Sequence, residues 1–131
     1  MKMGNIDKYF LGGTCANSTW RDEWIEKNNG KLNYFNPVVD VWDESAQAKE
    51  DKEKALCGIH LYGFTVEQQG AYSFFEIAYS LYNNKEVVLL ILGIDKNEQY
   101  HSTINKIISD LSTNKSVRIF YSIDDFFNSI T

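Results

Sequence analysis

With 131 residues and a formal net charge of −5, the chain fits a single domain spanning 1–131, able to bury about two thirds of its unfolded surface. No dense Lys/Arg cluster is present, which argues against binding long nucleic acid, and the longest apolar run, Val87–Leu92, is too short to cross a membrane. Cys15, Cys57, His60 and His101 are scattered and residues 1–5 hold no apolar signal region, so no disulfide framework, metal or other cofactor is expected, in a cytoplasmic setting.

Short apolar runs alternate with helical patterns. Tyr9-Phe10-Leu11 reads as a first strand, ending at Gly12-Gly13-Thr14. Asn17, Ser18 and Thr19 offer caps for a helix whose apolar stripe is Trp20, Trp24 and Ile25. Leu32–Phe35 is a second strand, stopped by Asn36-Pro37. Ser45–Leu56, dominated by Glu, Asp, Lys and Ala, is a solvated helix with a narrow buried edge. Gly58–Phe64 is a third strand, and Gly70–Asn83 a helix with Phe74, Ile77, Ala78 and Leu81 at helical spacing. Glu86–Leu92 is a fourth strand, its unbroken Val/Leu/Ile run typical of a strand covered on both faces. Ile104, Ile107, Ile108 and Leu111 mark the next helix, Val117–Tyr121 the last strand and Asp124–Ile130 the last helix. Such alternation predicts an α/β fold: a doubly wound, mostly parallel five-stranded sheet with helices on both faces, in the flavodoxin-like order 2-1-3-4-5.

Ligands of such sheets bind beyond the carboxyl ends of the strands, which directs attention to Gly12–Thr19, Asn36–Glu44, Thr65–Gly70 and Gly93–Gln99. Gly12 and Gly13 either let a ligand approach the backbone or form a tight turn. In the second loop Asp40 and Asp43 flank Trp42, which suits stacking on a base with hydrogen bonds to base or sugar. Asp43 is equally a natural helix cap, and Trp42 equally a packing residue. Glu76 falls opposite the Phe74/Ile77/Ala78/Leu81 stripe, among Tyr72, Ser73, Tyr79 and Ser80. Periodicity alone makes it a surface glutamate, whereas the tyrosines around it suit a cleft or a subunit contact. Aromatic residues form 15% of the chain, and part of that surplus is expected in such a place.

Tyr9-Phe10-Leu11-Gly12-Gly13-Thr14-Cys15, Ser18-Thr19-Trp20-Arg21, Tyr34-Phe35-Asn36-Pro37-Val38-Val39-Asp40-x-Trp42 and Gly70-Ala71-Tyr72-Ser73-Phe74-Phe75-Glu76-Ile77-Ala78 together resemble the nucleoside 2-deoxyribosyltransferase-like family, up to about Leu92. The resemblance implies a doubly wound parallel sheet and places Glu76 at the family's catalytic glutamate. It implies an N-glycosidic hydrolase or transferase acting on a nucleoside or nucleoside 5′-monophosphate through a covalent glycosyl-glutamate. Asp40 is then the first candidate to protonate the departing base. Gly12, Gly13 and Thr14 would lie by the sugar, Arg21 would meet a 5′-phosphate, and Asn36, Trp42, Asp43, Tyr72 and Tyr79 would complete the pocket.

One departure is that Thr65-Val66-Glu67-Gln68-Gln69 lacks the aspartate many members place before the catalytic helix. The short chain also implies a homo-oligomer, dimer or higher, in which a neighbouring subunit helps to complete the pocket. Two alternatives stand beside the enzyme: a non-catalytic module that binds a nucleotide signal, and processing of NAD or cyclic ADP-ribose.

Overall fold

The computed structural model describes residues 5–13, 19–64, 71–92 and 98–130. Strand and helix alternate as β1 (Asn5–Gly13), α1 (Trp20–Asn28), β2 (Tyr34–Phe35), α2 (Glu44–Leu56), β3 (Cys57–Phe64), α3 (Ala71–Tyr82), β4 (Glu86–Ile91), α4 (Glu98–Ser112), β5 (Val117–Phe120) and α5 (Ile123–Ser129). All four strand pairings are parallel, and the order is β2-β1-β3-β4-β5, the expected one. Chain direction across the sheet reverses between β1 and β3, whose carboxyl ends meet at Gly13 and Gly63.

The two-residue period of the strands divides the core. Tyr9, Leu11, Leu61, Val88 and Leu90 point to one face, where Trp20 and Trp24 of α1 meet Ile123, Phe126 and Phe127 of α5. Tyr62, Phe64, Val87, Leu89, Ile91 and Val117 point to the other, under Phe74, Ile77 and Leu81 of α3 and Ile108 and Leu111 of α4. β4 is apolar and buried from Val87 to Ile91 because both its faces are covered there.

α2 lies on the α3 side of the sheet over β1 and β3, and it is unlike the other helices. None of its residues is fully buried. Its half-buried positions, Ala46, Glu50, Glu53, Lys54 and Leu56, form an inner edge on which three of five residues are charged. Asp43 caps it, the carboxylate accepting a 2.8 Å hydrogen bond from the Ala46 N–H. Asp43→Ala is expected to lower stability by about 1 kcal/mol, measurable by urea denaturation, with no effect on ligand binding.

Packing explains the glycines at the switch point. A Cβ on Gly12 would lie 2.6 Å from the Tyr62 ring, one on Gly63 would lie 2.5 Å from the Trp20 indole, and Gly13, at φ +96°, lies against the Gly63 backbone. The first two leave room for aromatic rings, and the third adopts a conformation that other residues avoid.

Candidate functional site

Between α2 and α3, above β3, a cleft of about 690 Å³ opens. His60 and Tyr62 of β3 form its floor. Asp51, Lys54 and Ala55 of α2 line one wall, and Phe75, Glu76, Tyr79 and Asn83 the other, with Lys85 at the start of β4. The cleft therefore lies on the sheet face and reaches toward the amino ends of β3 and β4. Of the carboxyl-end loops, only 36–43 is described in full.

Glu76 is the acidic centre of this cleft. Its carboxylate meets the Lys54 ammonium at 2.9 Å, and the two side chains are only 15% and 21% exposed. Lys54 itself rests over the Phe10 ring, 5.4 Å from the centroid. An apolar floor and a half-buried cation thus fix the orientation of the carboxylate.

Beneath the pair runs a chain of buried hydrogen bonds. His60 Nε2 lies 2.8 Å from the Lys54 carbonyl oxygen. A carbonyl only accepts, so Nε2 carries the proton and the neutral ring's Nδ1 accepts from Ser80 Oγ at 2.7 Å. Ser80 Oγ in turn accepts from the Tyr62 hydroxyl at 2.7 Å. Burial pushes His60 down to about 4, and the nearby charges of Lys85 and Lys54 push the same way. The chain ties the last turn of α2 to α3, and so holds Lys54 opposite Glu76.

This arrangement corrects the expected facing of α3. Ser73 and Ser80, expected on the outer side, are buried, whereas Ala78, expected in the core stripe, is exposed. The helix is rolled so that Ser80 reaches His60 and Tyr62 and Glu76 turns inward. The hydroxyl, satisfied by its partners, carries little of the usual penalty for burying a polar group.

The other expected site residues are divided between the cleft and other places. Tyr79 joins Glu76 in the cleft. Tyr72 is in α3, but its side chain, like Thr14, lies outside the described residues. Asp40 and Trp42 are exposed on the segment before α2 and do not line the cleft. Asn36 Oδ1 accepts from the Val38 N–H at 3.1 Å, closing a local turn. Arg21 is only 6% exposed. Its guanidinium donates to the carbonyls of Leu11 at 3.1 Å and Gly13 at 3.2 Å, bracing the end of β1 rather than presenting an open anion receptor.

Residues that sequence reasoning passed over are Lys54, His60, Tyr62, Asn83 and Lys85. One signal was present. Charged Glu50, Glu53 and Lys54 recur at helical spacing from Ala46 on the only edge of α2 that can face the sheet. Among the described residues, no group of three or more His, Cys, Asp or Glu is placed to hold a metal ion, and no helix is long and apolar enough to cross a membrane. No family model matches the chain, and no curated protein matches it either.

Proposed function

We propose that this protein cleaves or transfers the N-glycosidic bond of a nucleoside or nucleoside 5′-monophosphate, with Glu76 as the nucleophile. The observation that carries the reading is the position of Glu76. It is a half-buried carboxylate held by Lys54 in a cleft large enough for a nucleotide, with Phe75 and Tyr79 beside it. The resemblance of the segment around Glu76 to the nucleoside 2-deoxyribosyltransferase-like family supports the same assignment.

A Glu76 oxygen forms a bond to the anomeric carbon as the carbon–nitrogen bond breaks, and the electron pair leaves with the base, which gains a proton. Water or a second base then attacks the anomeric carbon. The ester bond breaks, Glu76 regains its carboxylate, and configuration is retained overall. The faces of Phe75 and Tyr79 suit stacking against a base. Asp40 serves as proton donor only if the 36–43 segment folds over the cleft. The outward row of Phe75, Tyr79 and Tyr82, exposed at 64%, 55% and 86%, supports a homo-oligomer that covers this side of α3.

The test has two steps. Nucleosides, their 5′-monophosphates and NAD are incubated with the protein and free base is followed by chromatography. The responding substrate, with fluorine at the sugar 2′ position to slow turnover of the ester, is then used to trap the intermediate. A mass increase equal to the fluorinated sugar is expected on the peptide holding Glu76. Base release with the adduct elsewhere would remove Glu76 from the reaction. A retained nucleotide with no base release would make the protein a binding module.

A further inference from the structure

Lys54 is bound to one oxygen of the Glu76 carboxylate and not to the other. Its ammonium donates to Oε2 at 2.9 Å, and among the described residues Oε1 accepts no hydrogen bond. Oε1 is therefore the oxygen open to a substrate in the cleft. Two further contacts hold the lysine in place. The Phe10 ring lies 5.4 Å from the ammonium, and His60 Nε2 fixes the Lys54 carbonyl oxygen at 2.8 Å. Lys54 and Glu76 both line the cleft, with side chains 21% and 15% exposed, so water screens this pair less than a surface one.

We infer that Lys54 is a catalytic residue for the second half of the reaction, in which it expels Glu76 from the glycosyl ester. The inference rests on the N-glycosidic reading and gives a step to a residue that the resemblance does not name. Its direction follows from where charge is lost and regained. In the first step Oε1 bonds to the anomeric carbon and the carboxylate loses its charge, so an ammonium beside it favours the starting state over the transition state. In the second step the charge returns, shared between Oε1 and Oε2, and the same ammonium favours the transition state. Apart from orienting the carboxylate, Lys54 does not speed attachment, and it does speed release. Nor is it placed to protonate the departing base. In-line attack puts the base on the far side of the anomeric carbon from Oε1, whereas the ammonium lies beside Oε2.

Phe10 keeps the ammonium in position while the ester exists. With the carboxylate charge gone, Lys54 still has the ester carbonyl at Oε2 as acceptor and the ring face as a second attractive surface. Lys54 keeps its protons throughout. A water oxygen bonds to the anomeric carbon, the bond from that carbon to Oε1 breaks, its electron pair returns to the carboxylate, and the proton from water passes to solvent.

The experiment mixes the parent protein and Lys54→Met rapidly with 7-methylguanosine and 7-methyl-2′-deoxyguanosine, each with and without a 5′-phosphate. Their positively charged base departs without protonation, so attachment is fast and release limits turnover. Lys54→Met is expected to give a burst of free base equal to the protein present. Steady turnover after the burst should be slower than the parent's on the order of 10- to 100-fold. The unfluorinated sugar should accumulate on the peptide holding Glu76, seen by mass spectrometry, and the burst itself shows that the variant folds. Lys54→Arg, which restores the charge, should recover the steady rate and lose the accumulation. Lys54→Gln, which keeps a donor for Oε2 without the charge, carries the same comparison should the methionine variant not fold. Burst and steady rate falling together in a folded variant, or neither changing, would overturn the role of Lys54. A parent that releases base from none of these substrates would remove the N-glycosidic reading itself, and the role of Lys54 with it.

Discussion

Glu76→Ala is expected to lower kcat/KM for base release by about 10³-fold or more, because the step that replaces the carbon–nitrogen bond loses its nucleophile. The effect should fall on kcat more than on KM, since the Phe75 and Tyr79 side chains that would hold the base remain. The alanine leaves a gap beside Lys54, and a small anion such as formate or azide should enter it and restore part of the turnover. With azide the product is a glycosyl azide of inverted configuration, because a single displacement replaces the double one. Rescue of this kind is not expected of a variant that is merely misfolded. The fold should tolerate the change. Lys54 loses an ion pair that is 21% exposed on its own side and can turn toward the cleft mouth, so the loss of stability should be about 1 kcal/mol. Base release undiminished in Glu76→Ala would place the chemistry on other residues, and a loss that no small anion restores would favour a structural role for the glutamate.

The architecture was legible because it rests on strong local signals. The Val/Leu/Ile run of β4, the Trp20/Trp24 stripe of α1 and the cap at Asp43 each follow from short-range physical chemistry. The parallel sheet followed from alternation, and its order from five strands in a chain of this length. The site was legible only in part. Glu76 and Tyr79 were singled out, but periodicity placed Ser73 and Ser80 outside and Ala78 inside. It weighed side chains by hydropathy, and hydropathy does not register that the hydroxyl of Ser80 finds partners in His60 and Tyr62. Lys54 was passed over for a related reason. A lysine on a highly charged helix looks solvated until a glutamate 22 positions later is brought to it. Gly12 and Arg21 have packing roles that their types did not announce: the Tyr62 ring fills the space a side chain at Gly12 would need, and Arg21 donates to the carbonyls of Leu11 and Gly13. The contacts that decided these cases are between different elements, which local patterns do not encode.

The buried histidine should make stability fall in mild acid. In the unfolded chain His60 titrates near 6.5, and in the fold near 4. Between these values the unfolded state binds a proton that the native state does not, so stability declines as pH falls through this window. The contribution is fully retained above 6.5 and lost by about 4, amounting to about 3 kcal/mol. Carboxylates elsewhere also titrate in acid, so His60→Gln is the necessary reference. The Gln amide can still donate to the Lys54 carbonyl but takes up no proton. At pH 7.5 the variant is expected to be less stable by about 1–3 kcal/mol, and the gap should narrow progressively toward pH 4.5 in urea denaturation. A constant gap would mean that His60 carries the same charge in both states across the window. The hydrogen bonds alone would not create this dependence. A protonated ring could donate from both nitrogens, with the Ser80 hydroxyl swinging to the Glu76 carbonyl oxygen 2.9 Å away. What opposes the proton is its burial on the cleft floor, in a position 2% exposed, with the Lys85 and Lys54 charges nearby. The features that make this floor hostile to an added cation also keep the chain neutral and directional from Tyr62 to Lys54. The same neutrality leaves the Lys54 ammonium as the cation at hand for Glu76.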